Sequence, residues 1–142
     1  MQRNAKAIWK DSLKTGEGRL TTQSASLRDT RFSFPTRFGS EQGANPEELI
    51  AAAHAACFSM AFAYFAETAG AVPRTVETDA EFHFDLGAGG PAVTGLRLRL
   101  VADVPGLDAA RFQAVALQAK DNCMVSRLLR TEVTLEARQA AG

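Results

Sequence analysis

The chain has 142 residues, enough for one domain with a substantial core, and it is 46% hydrophobic and 23% charged, as ordinary soluble proteins are. Its 16 basic and 16 acidic residues cancel, so no net field attracts nucleic acid or an anionic membrane. The N-terminal sequence MQRNAKAIWKDSLK lacks the apolar run of a secretion signal. We therefore expect a single cytoplasmic domain over residues 1–142, with no nucleic acid and no membrane among its partners.

The N-terminal part of the chain alternates strand-like segments with turns. AIWKDSL, GRLTTQSASL and RFSF, all within residues 5–34, are separated by KTGEG and RDT. This pattern predicts a short β-meander. The next segment, TRFGSEQGANPEEL, predicts a loop that leads into a helix, because Asn45 suits the N-cap and Pro46 the first helical position.

A long helix is expected from Pro46 to about Ala69, ending at Gly70. Its central part contains only two strongly polar residues, His54 and Ser59, so the helix is apolar nearly all round. This part approaches the length of a membrane span, but most of it is alanine, which favours a buried helix of a soluble protein. One small sheet cannot cover such a helix, and a second subunit would complete the cover.

Two alternating segments come next. TVETDAEFHFDL and GLRLRLVADV predict a β-hairpin across GAGGPAVTG, with acidic side chains beside basic ones on its solvent-facing side. Asp108 is an N-cap for a helix over AARFQAVALQAKDN, Cys123 opens a short helical segment, and TEVTLEAR predicts a last strand. This order of elements predicts the α+β class. The hairpin residues predicted to face the core are Val76, Thr78, Ala80, Phe82, Phe84, Leu86, Leu96, Leu98 and Leu100.

The two cysteines, Cys57 in the long helix and Cys123 at the start of the short one, lie 66 residues apart. A structural disulfide is disfavoured in a chain without a secretion signal. Each cysteine can be an inert core residue. A thiol at a helix N-terminus has a lowered pKa, however, and the two together could form a reactive and resolving pair. Zinc is not expected, because these cysteines with His54 and His83 have none of the usual ligand spacings.

His54 and Arg37 each allow two interpretations. His54 lies three residues before Cys57 on the same helix face, where it could form a Cys–His pair for acyl transfer or simply pack at a helix interface. Arg37 stands between Phe34 and Phe38, and its stem could pack on those rings at the surface. The glutamates in the first turn of the long helix are explained by the helix dipole alone.

The block TRF…GANPEELIAAAHAACFSMA, followed far downstream by C-x-V-S, resembles the OsmC/Ohr family of thiol-dependent hydroperoxide reductases, and its OsmC branch in particular. The resemblance covers essentially the whole chain and implies an OsmC-like fold and an intertwined homodimer with active sites at the subunit interface. By position it makes Cys57 the peroxidatic cysteine and Cys123 the resolving one. Arg37 and Glu47 match the family's arginine and glutamate. The proline that usually follows the second cysteine is Met124 here.

This resemblance implies an antioxidant peroxidase of oxidative and osmotic stress that needs no cofactor and no metal. It would reduce organic hydroperoxides, and hydrogen peroxide more weakly, through a Cys57 sulfenic acid and a Cys57–Cys123 disulfide that an external, lipoyl-type dithiol resets. Two alternatives stay open: a redox-sensing or ligand-binding homodimer that uses the same disulfide as a switch, and a Cys–His hydrolase that depends on His54. The residues expected to give the substrate pocket an apolar wall are Phe34, Phe38, Phe58, Phe62 and Met124.

Helix geometry adds a constraint on the site. Ten residues separate Glu47 from Cys57, which is about 15 Å of rise along an unbroken helix. An Arg37–Glu47 pair is therefore hard to bring to the Cys57 of its own helix. We expect at least Glu47 to reach the site from the partner subunit.

Overall fold

The computed structural model describes residues 1–140 and confirms the α+β class. The chain falls into two compact units, Met1–Leu49 and Ile50–Gly142. The first unit contains the predicted meander, an antiparallel sheet with its strands in chain order. These strands are β1 (Ala5–Lys10), β2 (Glu17–Thr22) and β3 (Thr30–Ser33).

A short helix, α1 (Phe34–Phe38), follows β3, where the sequence analysis predicts a loop. Ser33 and Thr36 form a capping box: the Thr36 N–H donates to Ser33 Oγ at 3.3 Å, and the Ser33 N–H donates to Thr36 Oγ1 at 2.8 Å. Pro35 pre-sets the backbone of the first turn. The four residues SFPT carry both signals, and α1 could have been predicted from them.

The long helix, α2 (Pro46–Thr68), has the predicted N-terminus and ends within one residue of the predicted C-terminus. Asn45 caps it, since its Oδ1 accepts from the Glu48 N–H at 2.8 Å. Gly70 follows its end with a φ of 84°, in the left-handed region that glycine adopts without a Cβ clash. The local capping signals therefore set both ends of this helix.

The second unit continues after α2 with five elements: β4 (Thr75–Gly87), β5 (Gly90–Asp103), α3 (Ala109–Asn122), α4 (Met124–Leu128) and β6 (Val133–Gln139). The strands form one sheet in the order β4-β5-β6. β4 and β5 are antiparallel, whereas β6 returns parallel to β5 through a crossover that contains α3 and α4. The bounds of α3 match the prediction, and Asp108 Oδ1 accepts from the Arg111 N–H at 2.8 Å as its cap.

The hairpin between β4 and β5 is tighter than predicted. Residues 90–95, expected in the connecting loop, continue β5 and pair with β4 around a bulge between His83 and Phe84. The turn closes over Gly87, Ala88, Gly89 and Gly90, and Gly90 has a φ of 96°. Glycine tolerates such positive φ values, so the chain reverses within two loop residues.

One face of this sheet carries the core of the second unit. α2 and α3 pack against it, and the rings of Phe62 and Phe112 meet at 5.4 Å between centroids. Leu86 departs from the prediction, because it pairs with Pro91 near the hairpin tip, outside the core cluster, and is 64% exposed. The β5 leucines predicted to face the core are all buried: Leu96, Leu98 and Leu100.

The opposite face carries the charge pairs predicted between β4 and β5, and also pairs between β5 and β6 that were not predicted. Arg99 Nη1 lies 2.6 Å from Glu81 Oε1, and Arg97 Nη2 lies 2.7 Å from Glu136 Oε1. All four side chains are partly exposed, so each pair contributes at most about 1 kcal/mol. Their opposite charges favour the observed register of the three strands.

α2 is covered along one stripe only. Its buried residues, His54, Phe58, Phe62 and Ala66, recur every four positions, whereas Met60 and Tyr64 are 75% and 63% exposed. By length and composition alone this helix could cross a membrane, a test that core helices of soluble proteins also pass. The expected burial on most sides is therefore not reached within a single chain.

Candidate active site

The structure brings the two cysteines together. Cys57, on α2, packs against the buried core cluster that includes Cys123, between α3 and α4. Cys123 helps to raise the pKa of the Cys57 thiol, and both cysteines are free. Cys123 is the C-cap of α3 and the N-cap of α4, and its own N–H donates to the Ala119 carbonyl at 2.8 Å. It is buried, whereas Cys57 is half-buried. The fold thus brings two free cysteines, 66 positions apart in the sequence, into one region of the second unit.

Opposing influences act on the Cys57 thiol. Burial raises its pKa most strongly, because the thiolate loses water, and the hydrogen bond and charge of Cys123 raise it further. Backbone groups of Val125 and Met124, in the first turn of α4, hydrogen-bond to the sulfur and lower the pKa of Cys57. The net direction is upward. None of the arginines or lysines within residues 50–140 is among these influences.

His54 is fully buried one turn before Cys57, and its ring forms a hydrogen bond with a different residue, Ser126. Its Nε2 lies 2.8 Å from Ser126 Oγ, while its Nδ1 has no hydrogen-bond partner. Burial lowers the pKa of His54, because the imidazolium would be desolvated. Neither ring nitrogen bonds to the sulfur, so the Cys–His pair that a hydrolase needs is not formed.

Arg37 and Glu47 form an ion pair within the first unit. Glu47 Oε1 accepts from Arg37 Nη2 at 2.7 Å and from Nε at 3.0 Å, and Oε2 accepts from Nε at 3.3 Å. The Glu47 side chain is only 12% exposed, against 40% for Arg37. The guanidinium also lies 4.8 Å from the centroid of the Phe38 ring. Arg37 is therefore fixed both by a carboxylate and by an aromatic face.

The N-terminal caps of α1 and α2 set the position of this ion pair. The capping box of α1 orients the helix that carries Arg37, and Asn45 orients the first turn of α2, which carries Glu47. Thr36 joins the two, since its Oγ1 donates to the Ala44 carbonyl at 3.0 Å. The pair is thus a consequence of short-range backbone structure.

The residues predicted to wall the substrate pocket have different surroundings. Phe58 and Phe62 are fully buried members of the core, so the expectation that they line a pocket is wrong for this conformation. The rings of Phe34 and Phe38 lie 5.0 Å apart between centroids with a tilt of 51°, and both side chains are half-buried. Met124 is 72% exposed.

Within residues 1–140, no cluster of three His, Cys, Asp or Glu side chains is arranged around a common point. His83, the outlying member of the zinc set considered from sequence, is exposed and lies 3.2 Å from Glu81. One residue near the cysteines was missed by the sequence analysis, namely Ser126. Its spacing was a usable signal, because it follows Cys123 by three residues as His54 precedes Cys57 by three.

Comparison with known proteins identifies the family of this chain. A family model described as OsmC-like protein matches residues 39–138. The chain is also 40% identical to Peroxiredoxin OsmC of Escherichia coli (strain K12) over 136 residues, which cover 96% of this chain and 95% of that protein. The chain belongs to the OsmC-like protein family.

Two further relatives agree with this assignment. The OsmC-like chain is 32% identical over 120 residues to the Organic hydroperoxide resistance protein of Xanthomonas axonopodis pv. citri (strain 306), with 82% of each covered. Its fold matches the crystal structure of the Organic Hydroperoxide Resistance Protein OhrB of Bacillus subtilis at a TM-score of 0.69 and 24% identity, over 96% of this chain and 98% of that one. These comparisons confirm the predicted family, the OsmC-like fold and the enzyme class, an oxidoreductase of the peroxidase type.

Proposed function

We propose that this OsmC-like protein detoxifies hydroperoxides by thiol catalysis, acting on organic hydroperoxides better than on hydrogen peroxide. The observation that carries the proposal is the packing of Cys57 against the cluster that includes Cys123, together with the influence of Cys123 on the Cys57 thiol. The names of the relatives support it, since one is a peroxiredoxin and another an organic hydroperoxide resistance protein. The family contains soluble enzymes of this kind, and we expect the same of this chain, in the cytoplasm.

The reaction has three steps. The Cys57 thiolate attacks the terminal oxygen of ROOH, so the O–O bond breaks and Cys57 becomes a sulfenic acid while RO⁻ leaves and takes a proton to give the alcohol. The Cys123 sulfur then displaces the hydroxyl of the sulfenic acid, which leaves as water as the disulfide forms. An external dithiol, of the lipoyl type, reduces the disulfide by exchange and is itself oxidised.

The first step needs a cation near Cys57. An unperturbed thiol with a pKa of about 8.5 is only about 3% ionised at pH 7, and burial lowers this fraction. Full ionisation would raise the rate at most about 30-fold, and nucleophilicity falls with the pKa. Arg37 therefore acts mainly on the departing oxygen, whose negative charge grows as the O–O bond breaks. Glu47 holds the guanidinium in position for this role.

The cation comes from the partner subunit of a homodimer. Glu47 and Cys57 lie ten residues apart on a helix that is continuous from Pro46 to Thr68, a rise of about 15 Å. Glu47 also holds Arg37, so the two residues move to any site together. Each active site would then combine the two cysteines of one subunit with the Arg37–Glu47 pair of the other.

Two cysteine variants test the chemistry. Cys57→Ser should abolish peroxide consumption, because it removes the nucleophile. Cys123→Ser should still consume one equivalent of cumene hydroperoxide, leaving a sulfenic acid that dimedone traps, but should turn over slowly with dihydrolipoamide. Undiminished turnover in Cys57→Ser would refute the proposal.

Mixing of inactive subunits tests the composite site. Random re-pairing of Cys57→Ser with Arg37→Met subunits makes about half of the dimers mixed, and one of the two sites in each is complete if the arginine comes from the partner. About a quarter of wild-type activity should then return. If each subunit supplies its own arginine, no complete site exists and the mixture stays inactive, which refutes the composite arrangement.

The same arrangement of the two cysteines also suits a redox switch, the second candidate function. A switch would be oxidised once and would hold its disulfide, whereas a peroxidase consumes peroxide continuously with a dithiol. Steady-state consumption of cumene hydroperoxide with dihydrolipoamide decides between them. A single stoichiometric oxidation would favour the switch.

A further inference from the structure

We propose that the hydrogen bond between His54 and Ser126 positions Cys123 against Cys57 and so sets the rate at which the disulfide closes. The inference rests on the proposed thiol chemistry and assigns both residues a positioning role in its second step. His54 lies one turn before Cys57 on α2, and Ser126 lies three residues after Cys123, in α4. The 2.8 Å bond thus joins the same two segments that carry the two sulfurs.

The other contacts of α4 are few. The helix has five residues, none of them buried, and its N-cap, Cys123, makes no side-chain capping bond. Val125 packs partly on the core, whereas Met124 and Leu128 are 72% and 79% exposed. A segment so lightly packed can shift by an ångström at little cost. Its side-chain anchor to α2 is the bond from Ser126 to the fully buried His54, beside the backbone groups of Met124 and Val125 that act on the Cys57 sulfur.

Disulfide geometry explains why such an anchor matters. Closure requires the two Cβ atoms to come within about 3.5–4.5 Å with a narrow range of dihedral angles. The Cys57 sulfur is held by α2. Cys123 is joined to α3 as its C-cap and to α4 as its N-cap, so the position of α4 contributes to the orientation of the Cys123 sulfur. Loss of the anchor widens the distribution of sulfur–sulfur distances, so fewer conformations are ready to react.

The bonding state of His54 indicates that Ser126 is its essential partner. Within residues 1–140, Nδ1 of His54 is the one buried side-chain nitrogen or oxygen that lacks a hydrogen-bond partner. Buried N–H groups are left unpaired more rarely than buried acceptors, so the tautomer with hydrogen on Nε2, donating to Ser126 Oγ, is favoured. Without Ser126 both ring nitrogens would be buried and unpaired.

The test separates the two oxidation steps in Ser126→Ala, with Ser126→Thr as the variant that keeps the hydroxyl. The control is Ser59→Ala, which removes an equally short 2.8 Å bond from α2, here to Thr78 on β4. Each reduced protein is mixed with one equivalent of cumene hydroperoxide. Peroxide loss, dimedone-trapped sulfenic acid and disulfide are followed in time by mass spectrometry.

In Ser126→Ala we expect peroxide loss at the wild-type rate but disulfide closure slowed about fivefold, the effect of one buried hydrogen bond, with a longer-lived sulfenic acid. Ser126→Thr should restore closure, and Ser59→Ala should close as the wild type does. Wild-type closure in Ser126→Ala, or equal slowing in Ser59→Ala, overturns the inference. Absence of sulfenic acid and disulfide in the wild type would instead overturn the proposed function.

A double variant keeps the inference testable if Ser126→Ala does not fold. His54→Phe with Ser126→Ala replaces both partners by apolar groups, which leaves no buried polar atom unpaired and is close to neutral for stability. It still lacks the anchor, so closure should again be slow. Wild-type closure in this double variant refutes the positioning role.

Discussion

Replacing Glu47 by glutamine isolates the charge of the group that holds Arg37. In the wild type, both carboxylate oxygens of Glu47 accept hydrogen bonds from the guanidinium, at 2.7, 3.0 and 3.3 Å. Glutamine has nearly the same shape, but it keeps one neutral oxygen and adds an NH₂ group that cannot accept. The guanidinium therefore loses its negatively charged partner and one acceptor oxygen, while the packing around it is retained.

The expected loss has two parts. The substitution removes the Coulomb attraction of a partly exposed ion pair, about 0.2–1 kcal/mol, and one acceptor oxygen, about 0.5–1.5 kcal/mol, so together about 1–1.5 kcal/mol is lost. Arg37 is 40% exposed, and solvent screening keeps the effect near the lower value, about 1 kcal/mol. If Arg37 stabilises the departing oxygen mainly in the transition state, kcat/KM falls about fivefold.

The assay is kcat/KM for cumene hydroperoxide with dihydrolipoamide as reductant. Glu48→Gln is the matched control, because Glu48 lies in the same first turn of α2, is exposed, and loses the same charge. We expect the control to behave as the wild type. Equal losses in the two variants, or an undiminished kcat/KM in Glu47→Gln, would contradict the role given to the Arg37–Glu47 pair.

Three more outcomes are expected. Met124→Pro removes a backbone donor that lowers the pKa of Cys57, so the pH profile of Cys57 alkylation should move to higher pH; an unchanged profile would count against this donor. Burial lowers the pKa of His54 from its ordinary value of 6.5. As the pH drops below 6.5, the unfolded chain therefore takes up the proton first and the free energy of unfolding falls. Urea unfolding at pH 7.0 and 5.5 measures this change. His54→Asn should weaken that dependence, and the exposed His83→Gln should not. Finally, kcat/KM for cumene hydroperoxide should exceed that for hydrogen peroxide, since apolar contacts help only the former, and comparable values would contradict an apolar pocket.

The elements predicted well from sequence are those with signals a few residues apart. Asp108 fixed the start of α3, and Asn45 with Pro46 fixed the start of α2, because a cap bonds to backbone groups in the next turn. The alternation in β4 and β5 gave the correct inner face over most of its length. The prediction was wrong at Leu86, because the alternating pattern continues to this residue whereas the packed core ends before it.

The features that could not be predicted from the sequence depend on contacts between residues that are far apart along the chain. The parallel direction of β6 depends on a crossover through two helices, and nothing in the strand itself encodes it. The His54–Ser126 bond joins residues 72 positions apart. Cys57 and Cys123 could be proposed as a pair from family resemblance, but their contact depends on the packing of α2 against the segment between α3 and α4.

One dimer interface would both cover the exposed apolar side of α2 and bring a cation to Cys57. α2 exposes large apolar side chains, Met60 and Tyr64 among them, which water disfavours. The pKa of Cys57 is raised by burial, and its own unit provides no cation to oppose this. A second subunit packed on the exposed side of α2 would cover the apolar surface and, by bringing its Arg37, supply the charge.

Assembly and catalysis would then depend on one interface, so a charged substitution such as Tyr64→Glu should yield monomers that have also lost peroxidase activity. Monomers that retain full activity, measured by sedimentation and turnover on the same sample, would separate the two and exclude a shared site.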